Sequence, residues 1–422
     1  MQDLLYLVHR IPYPPDKGDK IRSYHLLKHL SQHYRVHLGT FIDDEKDRSY
    51  LGKVRSLCGE TCFVDLYPKA ARLRSLRGLL SGQPLTLPYY RDRSLQAWVS
   101  GVLETKSIRN ILVFSSAMAQ YVSHAGSTRR IIDFVDIDSD KWMQYSTTKT
   151  WPMSWIYRRE SRLLLGYERK IARDFDGATF VSETEAGLFK RLAPEVATKV
   201  TYFNNGVDAD YFSPLNIYPN PYPAGTNTLV FVGAMDYWAN VDAVDWFARS
   251  IFSVIRARLP DVEFHIVGAR PTAGVRALAA HPGITVTGSV PDIRPYLAHA
   301  SLAVAPLRIA RGIQNKVLEA MAMEKIVIVS PQALEGLCAL PGQELLVADS
   351  EGDFVHQIVA LLQSKSHQTM GRAGRVRVLE DYSWKKGLGR IDTLLSQPQA
   401  ISTDEDRTHA LQNRFKSAGD AA

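Results

Sequence analysis

Two cationic side chains and one carboxylate lie close together in the last third of the chain: Arg311, Lys316 and Glu319. Lys316 and Glu319 are one helical turn apart, so a helix would place both on one face. The cations suit a diphosphate, and a carboxylate has two acceptor oxygens that suit a vicinal diol such as a ribose. The spacing therefore indicates a nucleotide site, although an ordinary exposed Lys–Glu pair fits it equally well.

The residues around this trio predict the elements that would position it. An apolar run at 302–305, ended by Pro306, is typical of a short buried strand, and a polar loop follows at 308–312. Residues 315–323 have a helical pattern, and a second apolar run occupies 326–329. Strand–loop–helix–strand units build doubly wound sheets, which bind ligands beyond the carboxyl ends of their strands. The unpaired N–H groups of the first helical turn would face that space and favour an anion.

The composition favours a globular protein of two domains with an anionic ligand. A chain of 422 residues, 45% of them hydrophobic, is long enough for two well-packed cores. Its formal net charge of +7 fits an anionic ligand or an acidic membrane surface and does not require nucleic acid. The sequence has no zinc-finger or RNA-binding signature, so we expect no nucleic-acid partner.

Cysteine usage and hydropathy favour the cytoplasm. Cys58, Cys62 and Cys338 are too few for a disulfide framework and lack the companion residues of a metal site, so reduced thiols are expected. The apolar run at 4–8 lacks the basic region and cleavage site of a signal peptide. No apolar stretch approaches the roughly 20 residues that span a bilayer. We therefore expect a cytoplasmic protein that touches a membrane, if at all, only at its surface.

Strand-like and helix-like segments alternate in two series. The first series predicts a domain at 1–213, and the Pro-, Asn- and Tyr-rich segment 214–225 has the composition of a linker. The second series predicts a domain at 226–380. A last helix is predicted at 381–396, and the polar, aperiodic segment 397–422 is expected to be a disordered tail.

Several segments resemble the family 4 glycosyltransferases. Residues 312–322, with the sequence GIQNKVLEAMA, are similar to the donor-site segment of that family, and closest to the subgroup found with bacterial exosortase/PEP-CTERM exopolysaccharide clusters. The glycine loop at 12–20 and the Asn-Gly-Val-Asp at 205–208 also match, and the resemblance covers most of residues 1–395. It implies an α/β protein of GT-B architecture, with two Rossmann-like, doubly wound parallel-sheet domains facing each other across a cleft.

The resemblance also implies an activity. A retaining glycosyltransferase of the hexosyltransferase type would move a sugar from a nucleotide-sugar donor to a glycan or lipid-linked acceptor, here in bacterial exopolysaccharide biosynthesis. In the front-face mechanism proposed for the family, the departing phosphate oxygen takes the acceptor proton. The nucleotide sugar is a co-substrate, and no cofactor or metal is expected. The protein would be cytoplasmic or peripheral on the cytoplasmic face of the inner membrane.

Roles for individual residues follow from the resemblance together with the spacing. Lys316 and Arg311 would stabilise the leaving diphosphate and Glu319 would hold the ribose, so these three are the predicted catalytic residues. The predicted donor-binding residues are Gly18, Gly233, Ser289, Val290, Gly312, Asn315, Glu335, Gly336 and Leu337. The predicted acceptor-side residues are Asp136, Asp138 and Ser116.

The chain departs from the family pattern at three positions on the donor side, and residues 115–118 lack the histidine that many members have beside the acceptor site. Met235 and Asn240 occupy a loop in which many members have an arginine and a lysine for the diphosphate. Arg311 stands where the family's Glu-x7-Glu pattern has its first glutamate, which usually contacts the donor sugar. Arg311 and Lys316 are therefore the cations left for the leaving group, and the pattern does not predict the sugar.

Alternatives remain for two local patterns and for the function. Asp136 and Asp138 form an Asp-x-Asp, which single-domain glycosyltransferases use to bind a metal, but helix starts and loops contain it too. The basic and apolar segment 67–80 would either dock on anionic lipid headgroups or be a solvated helix face. A nucleotide-sugar epimerase of GT-B fold, or a non-catalytic GT-B scaffold that binds nucleotide or glycan, would share the same site.

Overall fold

The computed structural model describes residues 1–15, 18–123, 128–310, 313–364 and 368–396. The predicted tail at 397–422 lies outside the described residues, as do Arg311 and Gly312. Two parallel sheets organise the described part of the chain, one in each half.

The N-terminal sheet is parallel throughout. Its strands are β1 (Gln2–Val8), β2 (Tyr34–Ile42), β3 (Thr61–Asp65), β4 (Asn110–Phe114), β5 (Arg129–Val135), β6 (Gly177–Phe180) and β7 (Val200–Tyr202). Their order is β3-β2-β1-β4-β5-β6-β7, so the chain changes direction across the sheet between β1 and β4. Ligands of doubly wound sheets bind at this kind of switch point, beyond the carboxyl ends of the strands.

Helices cover both faces of this sheet. They are α1 (Gly18–His33), α2 (Leu51–Arg55), α3 (Pro68–Ser75), α4 (Arg77–Ser81), α5 (Thr86–Tyr89), α6 (Arg93–Thr105), α7 (Asp138–Thr148), α8 (Met153–Asp174) and α9 (Glu183–Leu192), with 3₁₀ turns at Glu45–Tyr50, Ser116–Tyr121 and Pro194–Lys199. Successive strand residues point to opposite faces. Leu5 and Leu7 therefore pack in the core that contains α6, whereas Leu4 and Tyr6 pack in the core that contains α1.

The C-terminal sheet has six parallel strands and a single large core. The strands are β8 (Asn227–Val232), β9 (Val262–Val267), β10 (Ile284–Gly288), β11 (Leu302–Ala305), β12 (Val327–Val329) and β13 (Leu346–Val347), in the order β10-β9-β8-β11-β12-β13. The helices are α10 (Trp238–Trp246), α11 (Ser253–Arg258), α12 (Ala273–Ala277), α13 (Arg294–His299), α14 (Asn315–Ala322), α15 (Pro331–Leu334), α16 (Glu351–Gln363), α17 (Gln368–Asp381) and α18 (Trp384–Ser396). A π-helical turn, Phe247–Phe252, joins α10 to α11, and a 3₁₀ turn, Leu278–Ala280, follows α12.

Helix α18 packs on the N-terminal sheet although it follows the C-terminal one. Leu388 and Ile391 lie in the same core as Leu26 of α1. A side chain at Gly206 would bring its Cβ within 2.7 Å of the Trp384 backbone nitrogen, so glycine there lets α18 begin directly against the segment between the sheets. The two halves are therefore connected by two crossings of the chain.

The segment 214–225 contains no helix or strand and lies against the C-terminal half. Tyr222 is buried in the C-terminal core, and its hydroxyl donates to the Tyr296 carbonyl at 2.7 Å. The segment is thus anchored by side-chain packing at one end.

A fully buried ion pair ties α1 to the N-terminal sheet. Nε and Nη2 of Arg22 donate to the two carboxylate oxygens of Asp133 at 2.7 and 3.1 Å, and both side chains are 0% exposed. Nη1 donates to the Phe203 carbonyl at 2.9 Å and to Asn205 Oδ1 at 3.0 Å. This two-point bridge connects α1, β5 and the segment that leaves β7, and it satisfies charges that burial would otherwise penalise heavily.

Candidate functional site

Two adjacent strands of the C-terminal sheet end at the candidate site. β8 and β11 are paired, Leu229 with Leu302 and Val230 with Ala303, so the loops that follow them start side by side. The loop after β8 leads into α10, and the loop after β11 leads into α14. Lys316 and Glu319 lie on α14, close to its N-terminus, as the local pattern predicted.

Lys316 points towards the turn after β8. Its Nζ donates to Asn240 Oδ1 at 2.6 Å and lies 5.0 Å from the centroid of the Phe231 ring. Burial lowers the pKa of the Lys316 ammonium to about 8, and the charge of Glu319 opposes this shift. An ammonium has three N–H donors. Among the described residues, Asn240 accepts from one of them, which leaves two for an anionic ligand.

Two glycines allow this turn to form. A Cβ on Gly268, which has φ of 154°, would lie 1.7 Å from the Gly233 carbonyl oxygen, and a Cβ on Gly233 would lie 2.7 Å from Asn240 Nδ2. Asn240 Nδ2 also donates to the Ala234 carbonyl at 2.9 Å. Close backbone packing therefore fixes Asn240, and Asn240 in turn positions the Lys316 ammonium. Gly233 was among the predicted donor-binding residues, whereas Gly268 and the positioning role of Asn240 were not predicted.

Glu319 is part-buried and has no hydrogen-bond donor among the described residues. Burial raises the pKa of its carboxyl to about 7, against the opposing charge of Lys316. The pKa of Tyr211 is raised mainly by burial and by the charge of Asp292, and the charge of Glu319 makes a smaller contribution. Glu319 therefore lies near the segment between the two halves, which contains Tyr211. The carboxylate is thus an unoccupied acceptor on the side of α14 that faces this segment.

The start of α14 carries a further unsatisfied group. Gln314 is the N-cap residue but makes no side-chain capping bond, so the first N–H groups of the helix lack that partner. The Oδ1 atom of Asn315 is buried without a hydrogen-bond partner in the described structure. Arg311 and Gly312, predicted here as well, lie outside the described residues.

The turn after α15 contains the predicted donor-binding residues Glu335, Gly336 and Leu337. The Glu335 N–H donates to the Pro331 carbonyl at 3.1 Å, and the Leu337 N–H donates to the Leu334 carbonyl at 2.9 Å. Gly336, with φ of 86°, contributes an N–H that has no acceptor among the described residues. Of these three N–H groups, the turn uses two, so in the described structure the N–H of Gly336 is the one left for a ligand.

Ser289 and Val290 follow β10 at the other end of the sheet. Ser289 is exposed, and Val290 packs against the C-terminal core. The same loop is held by Arg294, which pairs with Asp292 at 2.7 Å and lies 3.8 Å above the ring of Tyr211. The loop that contains the predicted donor-binding residues Ser289 and Val290 is therefore tied to the segment between the halves.

The predicted acceptor-side residues are not equally accessible. Asp136 and Asp138 are both bound by Lys141 Nζ, at 2.7 and 3.4 Å, and Asp138 opens α7, where a carboxylate is stabilised by the helix dipole. Ser116 is only 1% exposed, and its hydroxyl has no partner in the described structure. Ser116 would have to move to contact an acceptor, because it lies beneath the surface.

Lys141 also bears on the metal alternative for the Asp-x-Asp. Within the described ranges, no group of three or more His, Cys, Asp or Glu side chains is arranged to hold a metal ion. Asp138 opens α7 and Asp136 precedes it, and both carboxylates are paired with Lys141.

A charged cluster that the sequence analysis missed follows β1 directly. Arg10 binds Asp19 at 2.9 Å and Asp43 at 2.7 Å, and His9 Nε2 lies 3.4 Å from the same Asp19 carboxylate. Burial alone would raise the pKa of Asp19, but the hydrogen bond from His9 and the charges of His9 and Arg10 lower it overall. In the sequence, a His-Arg pair immediately after a buried strand was the feature that could have predicted this cluster. Gly18 opens α1 beside this cluster, and a Cβ there would meet nothing within 4 Å.

The two shifted pKa values predict that proton exchange on binding a nucleotide sugar reverses with pH. The charge of a bound diphosphate should raise the pKa of Lys316, so binding at about pH 8.5 should take up a proton. Hydroxyl groups that donate to Glu319 should lower the pKa of its carboxyl, so binding at about pH 6.5 should release a proton. Calorimetry in buffers of different ionisation enthalpy measures both signs. Lys316→Met should remove the uptake and Glu319→Gln the release. The same sign at both pH values in the unaltered protein would contradict this arrangement.

Comparison with known proteins bears on the fold and the class of protein. Residues 226–364 match the family model described as Glycosyl transferases group 1, and this region contains Lys316 and Glu319. No curated protein sequence gives a significant match to the chain. Within the described ranges, no helix has both the length and the apolar character needed to cross a bilayer.

Solved structures are similar to the chain over nearly its whole length. Sucrose-phosphate synthase from Thermosynechococcus elongatus has a TM-score of 0.64 at 16% identity, covering 93% of this chain and 98% of that one. Anabaena Alr3699/HepE in complex with UDP and glucose has a TM-score of 0.64 at 14% identity, with coverage of 94% and 100%. A glycosyltransferase from Rickettsia africae ESF-5 has a TM-score of 0.63 at 13% identity, with coverage of 94% and 99%.

These similarities confirm the predicted fold. The chain has the GT-B architecture of two Rossmann-like parallel-sheet domains. The family match in the C-terminal half and the fold of the whole chain together support a glycosyltransferase.

Proposed function

We propose that this protein is a retaining glycosyltransferase that moves a sugar from a nucleotide-sugar donor to a glycan or lipid-linked acceptor. The Glu319 carboxylate is the observation that carries the proposal. It is part-buried, one turn from Lys316, and has no hydrogen-bond donor among the described residues. Desolvating a carboxylate without a donor is unfavourable, so the arrangement suits a ligand that supplies two hydroxyls. The family match over 226–364 and the fold shared with a protein solved with UDP and glucose support this proposal.

The reaction would depend on positioning and electrostatics rather than on a protein nucleophile. The bond between the anomeric carbon and the diphosphate oxygen breaks while the acceptor oxygen bonds to the same face of the sugar. The acceptor proton passes to the departing phosphate oxygen, and a nucleoside diphosphate leaves. Lys316, held by Asn240, stabilises the negative charge that develops on that oxygen. Glu319 holds the ribose so that the diphosphate lies at the start of α14.

The biological role that we propose is the synthesis of a bacterial exopolysaccharide at the cytoplasmic side of the inner membrane. The resemblance of residues 312–322 to the donor segment of exopolysaccharide sugar transferases supports this role. The acceptor would then be a growing glycan on a lipid carrier.

Glu319→Ala should weaken nucleotide-sugar binding by at least about tenfold, because it removes one or two charged hydrogen bonds worth about 1.5–3 kcal/mol each. Titration calorimetry with the tightest-binding nucleotide sugar measures the change. The exposed Glu104 provides a matched control, and Glu104→Ala should bind as the unaltered protein does. Equal affinity of Glu319→Ala and the unaltered protein would refute the role of Glu319.

Glu319→Gln tests whether lost binding reflects a lost fold. Because folding raises the pKa of Glu319, the folded state favours the protonated carboxyl. This contribution to stability is fully present below the unfolded-state pKa and is lost as pH rises through about 7. At about pH 8 the glutamine variant should therefore unfold at a higher temperature than the unaltered protein while binding donor more weakly. A lower unfolding temperature at that pH would contradict the burial penalty.

The donor class can be found with a thermal-shift panel of UDP-, GDP- and ADP-sugars, because a selective ligand stabilises by mass action. With the selected donor, nucleoside diphosphate release that depends on an added acceptor extract supports transfer. NMR spectra that show conversion of the donor sugar without any acceptor would instead support an epimerase. Binding without either reaction would support a scaffold.

A further inference from the structure

The proposed reaction leaves one exposed apolar surface unexplained. Trp151 and Trp155, at the start of α8, are 81% and 57% exposed, and Leu73 and Leu76, at the end of α3, are 72% and 50% exposed. We call the following residues the docking patch: Leu73, Leu76, Leu79, Trp151, Pro152, Trp155 and Ile156. The last five of these line one shared groove, which brings α4 against the start of α8. A contiguous exposed apolar patch of this kind is typical of an interaction surface.

The docking patch is a preformed surface. Arg159 Nη2 donates to the Gly78 carbonyl at 2.7 Å, which ties α8 to α4. Arg74 donates to the carbonyls of Pro88 and Tyr89 at 2.8 and 2.7 Å, which ties α3 to the segment after α4. The basic segment predicted as one helix is in fact two short helices, α3 and α4, held in place by these arginines.

The two segments that form the docking patch, 67–81 and 149–162, carry several exposed basic side chains and no exposed acid. The exposed basic residues are Lys69, Arg72, Arg77, Lys149, Arg158 and Arg162. None of them forms an ion pair with another described residue. The acidic residue of the segments 67–81 and 149–162 is Glu160, which is buried and accepts hydrogen bonds from Leu85 N and Thr86 N at 2.6 and 3.0 Å. The exposed side chains that these two segments contribute are therefore apolar or positively charged, apart from uncharged polar ones.

We propose that the docking patch binds the surface of an anionic phospholipid bilayer. Indole rings favour the headgroup level of a bilayer, where their apolar face and N–H group are both satisfied. Lysine and arginine beside them are attracted to the phosphates of anionic lipids. Trp151 and Trp155 enter the interface, and Arg72, Arg77 and Arg158 contact headgroups.

The position of the docking patch suits an acceptor carried on a lipid. Helix α7 begins at Asp138, at the carboxyl edge of the N-terminal sheet, and ends at Thr148, just before the docking patch. Its length corresponds to about 16 Å of α-helix. Docking would hold the predicted acceptor side within about one helix length of the docking patch. This consequence rests on the proposed function, whereas the docking itself does not.

Co-sedimentation with lipid vesicles tests the proposal without donor or acceptor. The protein should pellet with vesicles of phosphatidylcholine and phosphatidylglycerol and stay in solution with phosphatidylcholine alone, and high salt should release it. Trp151→Ala/Trp155→Ala should lower the partition coefficient by about tenfold or more. Arg72→Gln/Arg77→Gln/Arg158→Gln should do the same through the charge contribution.

Matched control variants change equivalent residues elsewhere. Leu215 and Ile217 are 87% and 100% exposed outside the docking patch, so Leu215→Ala/Ile217→Ala should bind vesicles normally. Lys190→Gln/Arg191→Gln/Arg258→Gln removes the same charge from other exposed positions and should also bind normally or nearly so. Unfolding temperatures of all variants establish that they are folded.

Three results would overturn the proposal. Equal binding to vesicles with and without phosphatidylglycerol would show that charge plays no part. Normal vesicle binding by both docking-patch variants would place the contact elsewhere. Self-association in light scattering that the tryptophan variant abolishes, with no vesicle binding by the unaltered protein, would make the docking patch an interface between copies of the chain.

Discussion

Lys316→Ala is expected to lower the turnover number for sugar transfer by about 10²–10³-fold, the effect typical of removing one preorganised group that stabilises developing charge. The ammonium lies at the start of α14, part-buried, where the surroundings screen charge less than water does. Its partner Asn240 is neutral, so the positive charge of Lys316 is left for the leaving diphosphate. Steady-state kinetics with the donor found in the thermal-shift panel measures the loss.

The neighbouring variants separate charge from position. Asn240→Ala keeps the ammonium but removes the contact that orients it, so its loss of turnover should be smaller than that of Lys316→Ala. Lys190→Ala removes an exposed lysine far from α14 in the sequence and should have turnover close to that of the unaltered protein. If Lys316→Ala and Lys190→Ala have equal turnover numbers, the leaving group is stabilised elsewhere.

Arg22→Met should destabilise the N-terminal half by about 3–5 kcal/mol, because it leaves the fully buried Asp133 carboxylate without its charged partner. Among the residues that the structure describes, Asp133 would keep two donors, the Thr179 hydroxyl at 3.1 Å and the Val135 N–H at 3.3 Å. The same change removes the bonds from Arg22 to Phe203 and Asn205, which hold the segment leaving β7. Thermal unfolding followed by circular dichroism should show a midpoint lower by on the order of 10 °C.

A double variant distinguishes the unpaired charge from lost packing. Arg22→Met/Asp133→Leu removes both charges and should be more stable than Arg22→Met alone, because no buried charge is left unpaired. Arg48→Met provides a control, since it breaks a half-exposed pair with Asp65, and it should cost less than about 1 kcal/mol. A double variant no more stable than Arg22→Met would show that packing, and not charge, dominates at this position.

Local sequence patterns were sufficient for the element that carries the candidate site. An apolar run ended by Pro306, a polar loop and a helical repeat predicted β11, its loop and α14, and the three-residue spacing placed Lys316 and Glu319 on one side of that helix. These features depend on neighbours within one or two turns, which the sequence displays directly. The alternation of apolar runs and helical repeats likewise predicted two parallel-sheet domains, because each such unit has its own periodicity.

Contacts between distant segments were decided by the tertiary structure alone. Lys316 meets Asn240, which lies 76 positions away, because β8 and β11 are adjacent in the sheet and the glycines at 233 and 268 allow their turns to pack closely. His9, Arg10, Asp19 and Asp43 converge because α1 and β2 both return to the end of β1. Strand order and helix packing determine these side-chain contacts, and no short-range sequence pattern encodes them. Thus the spacing along α14 indicated which groups could bind a nucleotide, and the assembled sheet decided which partners hold them and which remain open to a ligand.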